Sequence, residues 1–168
     1  MASTSSFDVT TGVDLMEVTN AVDQATKEIT QRYDFKGLKV GIDLDKKEYT
    51  ITLTGPDPFR LSAVWDVLQS KLVRRGVPLK NVTPGEVEPA GGSTARQVLK
   101  MTNGLSAEIA REIVKAIKEA KLRKVQTSIQ GDTVRISSAS KDDLQGVMAL
   151  LRQGDYGVEL KFENFRTN

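Results

Sequence analysis

The pattern that most restricts the fold of this chain is an order of elements that occurs twice: strand, helix, hairpin, helix. In the first half, "FDVTTG" reads as a short strand. Leu15, Val18, Val22, Ala25 and Ile29 then recur at helical spacing and predict a helix over 14–33. Asp14 stands as its N-cap, with Glu17 in capping-box position. "KVGIDLD" and "EYTITLTG" alternate as the two strands of a hairpin that turns near residues 45–47. A second helix is predicted over 57–75, with Leu61, Val64, Trp65, Leu68 and Leu72 inward and Gly76 and Pro78 as its stop. The second half repeats the order. "RQVLKMT" reads as a strand, and 106–122 as a helix with Ile109, Ile113, Ala116, Ile117 and Ala120 inside. "KVQTSIQ" and "DTVRISS" flank a Gly131-Asp132 turn, a strong hairpin signal. Ser140 and Asp143 form another capping box, before a helix carrying Leu144, Val147, Met148 and Leu151. "VELKFENF" closes as a strand.

This order predicts an α+β protein of two tandem ferredoxin-like sandwiches, each an antiparallel sheet covered by two helices. The expected domains are 1–88 and 89–168, and "TPGEVEPAGGST", residues 83–94, reads as the linker because it is rich in Pro and Gly. Tandem copies joined in this way can exchange a strand, so that the first strand of one half pairs in the other half's sheet.

Inventory removes several kinds of chemistry. The chain has no cysteine and no histidine, which excludes disulfides, thiolate nucleophiles, histidine general bases and the commonest metal ligands. No Gly-rich loop ends in Gly-Lys-Ser/Thr, so phosphate-loop hydrolysis is not expected, and "PAGGST" lacks both the lysine and the strand-helix setting. A non-enzymatic protein without cofactor or metal is the expectation, and a carboxylate-and-metal nucleotide hydrolase ranks last. Asp142-Asp143 reads as capping at a helix start. "MASTSSFDVTTGVD" has no basic segment leading into an apolar run, and no stretch approaches the ~20 apolar residues that span a bilayer. A cytoplasmic protein with no membrane partner is therefore expected.

Net charge is only +2, so any polyanion surface must come from clustering. Up to Glu88 there are 11 Lys/Arg and 13 Asp/Glu, a net of −2; the remainder has 13 against 9, a net of +4. Arg111, Lys115 and Lys118 share one predicted helix face and Lys121, Arg123 and Lys124 follow. They read either as a phosphate-attracting patch or as a solvated face interspersed with Glu108, Glu112 and Glu119. Lys71, Arg74 and Arg75 at the end of the second helix have the same two readings. The strands "EYTITLTG" and "DTVRISS" carry Tyr49 and no other aromatic, so base stacking on the sheets is not expected.

The motifs "SFDV", "EVTNAVDQATKEITQRYDFKG", "SKLVRRGV", "AREIVKAIKEAKLRKVQTSIQGDTVRISS", "KDDLQGVMALLR" and "FENFR" resemble the YajQ family of small bacterial proteins, in order and over nearly the whole chain. The resemblance implies tandem ribonucleoprotein-like domains and nucleotide binding without known catalysis. Some members are described as cyclic di-GMP receptors and others as binding nucleotides such as GTP or ATP, or RNA. It thus implies a nucleotide-binding protein, in the first instance a cyclic di-GMP receptor acting through a change of conformation or of partner binding, the protein partner being of the transcription-regulator kind. The alternative is an RNA- or tRNA-binding factor that uses the basic patch of the second half. Two positions depart from the family: the turn "SSASKDD" keeps Lys141 as its only cation, where members are commonly rich in Lys and Arg. The end also runs Asn164, Phe165, Arg166, Thr167, Asn168 where members often read Asn-Phe-Arg-Asp.

In a receptor of this kind, cations hold phosphates and an aromatic stacks on guanine. Arg32, Tyr33, Phe35, Lys36, Arg75, Lys141 and Arg166 are the residues expected to do so. The first four belong to "RYDFKG", which has a second reading: a helix end whose aromatics cover the core and whose Gly37 supplies the turn.

Overall fold

A computed structural model describes residues 3–122 and 124–167. The elements run β1 (Ser5–Thr10), α1 (Leu15–Gln31), β2 (Gly41–Asp45), β3 (Thr50–Gly55), α2 (Pro58–Arg74), β4 (Val82–Ala90), β5 (Thr94–Met101), α3 (Ala107–Glu119), β6 (Val125–Gln130), β7 (Thr133–Ser138), α4 (Lys141–Gln153) and β8 (Lys161–Thr167). The protein is α+β, and its described residues form two four-stranded antiparallel sheets and four α-helices arranged as two ferredoxin-like units.

One unit is the continuous segment Val13–Thr102; the other comprises the described residues of Met1–Gly12 and Asn103–Asn168. The division therefore does not fall at residue 88, where the sequence places it. In the split unit the sheet order is β6-β7-β1-β8, so β1 is an inner strand supplied from the far end of the chain. Read in chain order this unit is β1, α3, β6, β7, α4, β8. The continuous unit has the order β2-β3-β5-β4, and its last strand, β5, takes the inner place.

The expected linker is mostly strand. Pro84, Gly85 and Pro89 lie in β4, an edge strand paired with β5 through a register shift between Pro84 and Val87. Proline removes a ladder donor, which an edge strand or a bulge tolerates and an inner strand does not. Gly85 is required at that bulge, because a Cβ there would stand 2.8 Å from the Val98 carbonyl oxygen.

Each core follows the apolar stripes. In the continuous unit, Val18, Ala21, Val22, Ala25 and Ile29 of α1 and Leu61, Val64, Val67, Leu68 and Leu72 of α2 bury against Ile51, Leu53, Ala95, Leu99 and Met101. Trp65 is only partly buried, at the margin of this cluster. In the split unit, Ala110, Ile113 and Ile117 of α3 and Leu144, Val147, Met148 and Leu151 of α4 cover Phe7, Val9, Val134 and Ile136. Burial of each Val, Leu, Ile, Met or Phe among them stabilises by about 1.5–3 kcal/mol. Ser106 caps α3 and Ser140 caps α4, each hydroxyl accepting from a backbone N–H three residues on. Asp14 caps α1 through the N–H of Met16 at 2.9 Å. Glu17 does not close the predicted box; its carboxylate accepts from Asn20 and from Arg75.

Candidate functional site

At the C-terminal end of α1 the chain leaves helical geometry at Arg32 (ψ 132°), makes one 3₁₀ turn over Tyr33–Phe35, and reverses at Gly37 with φ +76°. The turn divides its side chains sharply. Phe35 is 3% exposed and belongs to the core, whereas Tyr33 is 88% exposed. Arg32 grips Asp34 with both edges of its guanidinium, Nε donating at 3.0 Å and Nη2 at 2.7 Å. Its Cζ lies 4.7 Å from the centroid of the Phe35 ring. The Arg32 hydrogen bonds, aided by the charge of Arg60, hold the Asp34 carboxyl below the usual carboxylate range. Lys36 is exposed.

The charge of Arg60, in the first turn of α2, also reaches Asp34. Asp57 caps α2 by accepting from the N–H of Arg60 at 2.8 Å, and its second oxygen accepts from Arg60 Nη1 at 2.7 Å. Phe59, in the first turn of α2, is 83% exposed. The end of α1 and the start of α2 each present a bare ring beside a closed Arg–Asp pair. Such rings offer π faces to a planar base, and the exposed ion pairs can re-form around an anion at little cost. Phe59 and Arg60 were not among the sequence expectations. The available signal was helical phase: Phe59 precedes Leu61 by two residues and so falls off the apolar stripe.

Arg75 is not part of this patch. It ends α2 and donates from Nη2 to Glu17 Oε1 at 3.2 Å, beside the first turn of α1. Glu17 and Arg32 are separated by the length of the helix, on the order of 22 Å at 1.5 Å per residue. Lys71 likewise bonds Glu28 at 2.9 Å. In the cation cluster at the end of α2, Lys71 and Arg75 thus tie the two helices together.

Lys141 and Arg166 do come together, in the split unit. They line a depression of about 210 Å³ with Ser5, Phe7, Met148 and Phe165, at the N-terminal end of α4. Phe165 is 62% exposed and stacks on Phe7, with ring centroids 5.8 Å apart.

Neither sheet carries an aromatic platform on its uncovered face among the described residues. In the split unit that face holds Ser6, Asp8, Arg135, Ser137 and Arg166, by alternation against Phe7, Val9, Val134 and Ile136. Asp8 is buried there, accepting from Arg135 Nε at 3.0 Å and from Asn164 at 2.7 Å. Those bonds, Arg135 first, lower its pKa. In the continuous unit the uncovered face holds Thr50, Thr52, Thr54, Arg96, Val98 and Lys100, and Tyr49 packs against the core instead. Among the described residues no helix is long and apolar enough to cross a membrane, and no cluster of three acidic residues could hold a metal ion. Arg123, one of the cations expected to extend the patch on α3, lies outside the described residues.

Comparison with known proteins adds to this geometry. Residues 5–166 match a family model described as nucleotide-binding protein YajQ-like. The chain is 49% identical over 163 residues to a protein of Koribacter versatilis, covering 97% of this chain and 98% of the relative. It is 50% identical over 166 residues to one of Carboxydothermus hydrogenoformans, covering 99% and 100%. A third, from Thioalkalivibrio sulfidiphilus, is 49% identical over 161 residues, covering 96% and 98%. All three are named nucleotide-binding proteins. With the ferredoxin-like pair of units and a match across nearly its whole length, the chain belongs to the YajQ-like family.

Proposed function

We propose that this protein binds a nucleotide without turning it over, and that the ligand is a cyclic dinucleotide, cyclic di-GMP in the first instance. The observation that carries the reading is the pair of bare aromatic rings, Tyr33 and Phe59, beside Arg32, Lys36 and Arg60. The chain has five Phe, three Tyr and one Trp, so two rings left in water at helix ends represent a large share of its aromatic surface. A guanine base stacks on Tyr33 while Arg32 or Lys36 meets a phosphate oxygen. Phe35 positions the turn from beneath, and Arg75 serves the helix pair. The names of the relatives support nucleotide binding in general, and cyclic di-GMP is the finer reading.

The depression at Lys141 and Arg166 favours a second reading, an anion pocket on the split unit, where two cations meet the N-terminal end of a helix. Calorimetric titration of cyclic di-GMP and of GTP into the wild type, Tyr33→Ala and a Lys141→Ala/Arg166→Ala variant separates the two. Loss of one stacked base costs about 1–3 kcal/mol, so Tyr33→Ala is expected to weaken cyclic di-GMP binding at least fivefold. Absence of heat with the wild type sinks the receptor reading. Loss of binding only in the Lys141/Arg166 variant transfers the site to the split unit. Release of phosphate from GTP with magnesium would end the non-enzymatic reading.

A further inference from the structure

The two sheets expose four edge strands, and three of them are guarded. β4 carries Pro84, Pro89 and a bulge. β2 alternates Asp43 and Asp45 with its apolar residues. β8 carries Lys161, Glu163 and Arg166, a bulge against β1, and Asn164 at φ +58°. These are the devices that keep an exposed edge from pairing with another chain. β6 has none of them. Its six residues, VQTSIQ, include no charge, proline or glycine, and its register with β7 is unbroken from Val125 to Gln130. Among the described residues no strand pairs on its outer side.

The space beside that edge has a definite chemistry. Val125, Thr127 and Ile129 face the helix side, since they pair with Ser138, Ile136 and Val134, which are buried there. Ile129 remains 47% exposed. Between these residues and α3 run two shallow depressions of about 250 and 300 Å³ that share Lys118. The floor is Val114, Ile117, Leu122 and Val125, and the rim is Arg111, Lys115, Lys118 and Lys121. Glu119, 3.9 Å from Lys115 with both side chains largely exposed, offsets little of this charge.

We propose that β6 is the acceptor edge for an extended segment of a partner protein whose alternate residues are acidic. The added strand pairs its backbone with β6, as in other cases of strand addition to a sheet edge. Its acidic side chains lie on the helix side, their methylenes on Ile129 and Val114 and their carboxylates among Arg111, Lys115 and Lys118. Charge also selects against a second copy of this chain as the occupant. Antiparallel pairing of two β6 strands sets the two α3 helices side by side on one face, cation row against cation row. Among the described residues neither β6 nor the groove beside it carries an aromatic, so the same surface has no means of stacking the bases of RNA.

The test uses the full chain and three probes: an eight-residue peptide alternating threonine and glutamate, its threonine–lysine counterpart, and octauridylate. Heteronuclear NMR is expected to show the acidic peptide shifting the amides of Val125–Gln130 and slowing their exchange, while the basic peptide does neither. Lys115→Glu combined with Lys118→Glu is expected to weaken the acidic peptide about tenfold or more, by loss of two ion pairs and gain of repulsion. Ile129→Glu, which sets a like charge beneath the acidic side chains at an exposed position, is expected to abolish exchange protection with the remaining spectrum unchanged. No shift at β6 with the acidic peptide, or equal affinity in the charge-reversed variant, overturns the proposal. Shifts at these amides with octauridylate and not with the peptide assign the surface to nucleic acid and overturn it equally.

Discussion

The two units have one architecture and differ in how the chain supplies it. The continuous unit takes its inner strand from its own end: β5 follows β4 through a tight turn and lies between β3 and β4. The split unit takes its inner strand from the beginning of the chain, so β1 is separated from β7 by more than a hundred residues and still lies between β7 and β8. Loop closure grows only slowly more costly with length, and the apolar surface of Phe7 and Val9 is the same whichever end of the chain carries it. The difference shows that position in the sheet, and not order in the chain, determines what a strand contributes. The polar chemistry differs as well. The split unit concentrates it on its uncovered sheet face around Asp8, and the continuous unit at its helix ends.

The largest expected effect separates the units outright. Residues 13–102 expressed alone are expected to give a dispersed NMR spectrum and a cooperative urea transition. Residues 103–168 alone, lacking β1, are expected to stay unfolded until a peptide of residues 1–12 is added. A folded 103–168 fragment would break the comparison. Next in size are single truncations on the two inner strands. Phe7→Ala is expected to cost about 3–5 kcal/mol and Leu99→Ala about 2–5 kcal/mol. Hydrogen exchange should show each loss confined to its own sheet. The smallest effect is acid sensitivity. Asp8 has a lowered folded pKa, so its contribution is fully present above the ordinary carboxylate value and is lost as pH falls through the folded one. Its hydrogen bonds to Arg135 and Asn164 are worth about 2 kcal/mol. Urea midpoints for the split unit should therefore drop as pH falls below about 4, the unperturbed carboxylate pKa, and Asp8→Asn should flatten that drop.

Most of the helices and strands were legible, because amphipathic periods are local. The stripe from Val18 to Ile29 buries as its spacing predicts, and the Gly131 turn joins β6 and β7. What misled was punctuation. Pro84, Gly85 and Pro89 signal a break in any local reading, yet an edge strand accommodates all three. The site was half legible. "RYDFKG" marks a helix end in sequence, and the structure divides its rings, sending Phe35 to the core and Tyr33 to water. Phe59 is not singled out by sequence because one apolar residue off a helix stripe reads as ordinary exposure. Arg75 was grouped with the site because nothing in a linear sequence says that it stands at the other end of α1, against Glu17.

By itself the sequence determined the periods, the caps, the family and the absence of histidine and cysteine chemistry, since each depends on neighbours within a few residues or on inventory alone. The tertiary structure decided which strand lies inside which sheet, where the chain divides, which rings and cations share a surface, and which edge is left unguarded. Those are properties of pairings between distant residues. A strand's pattern states that it needs a buried face and a hydrogen-bonded neighbour, and any sheet of the right register can provide both.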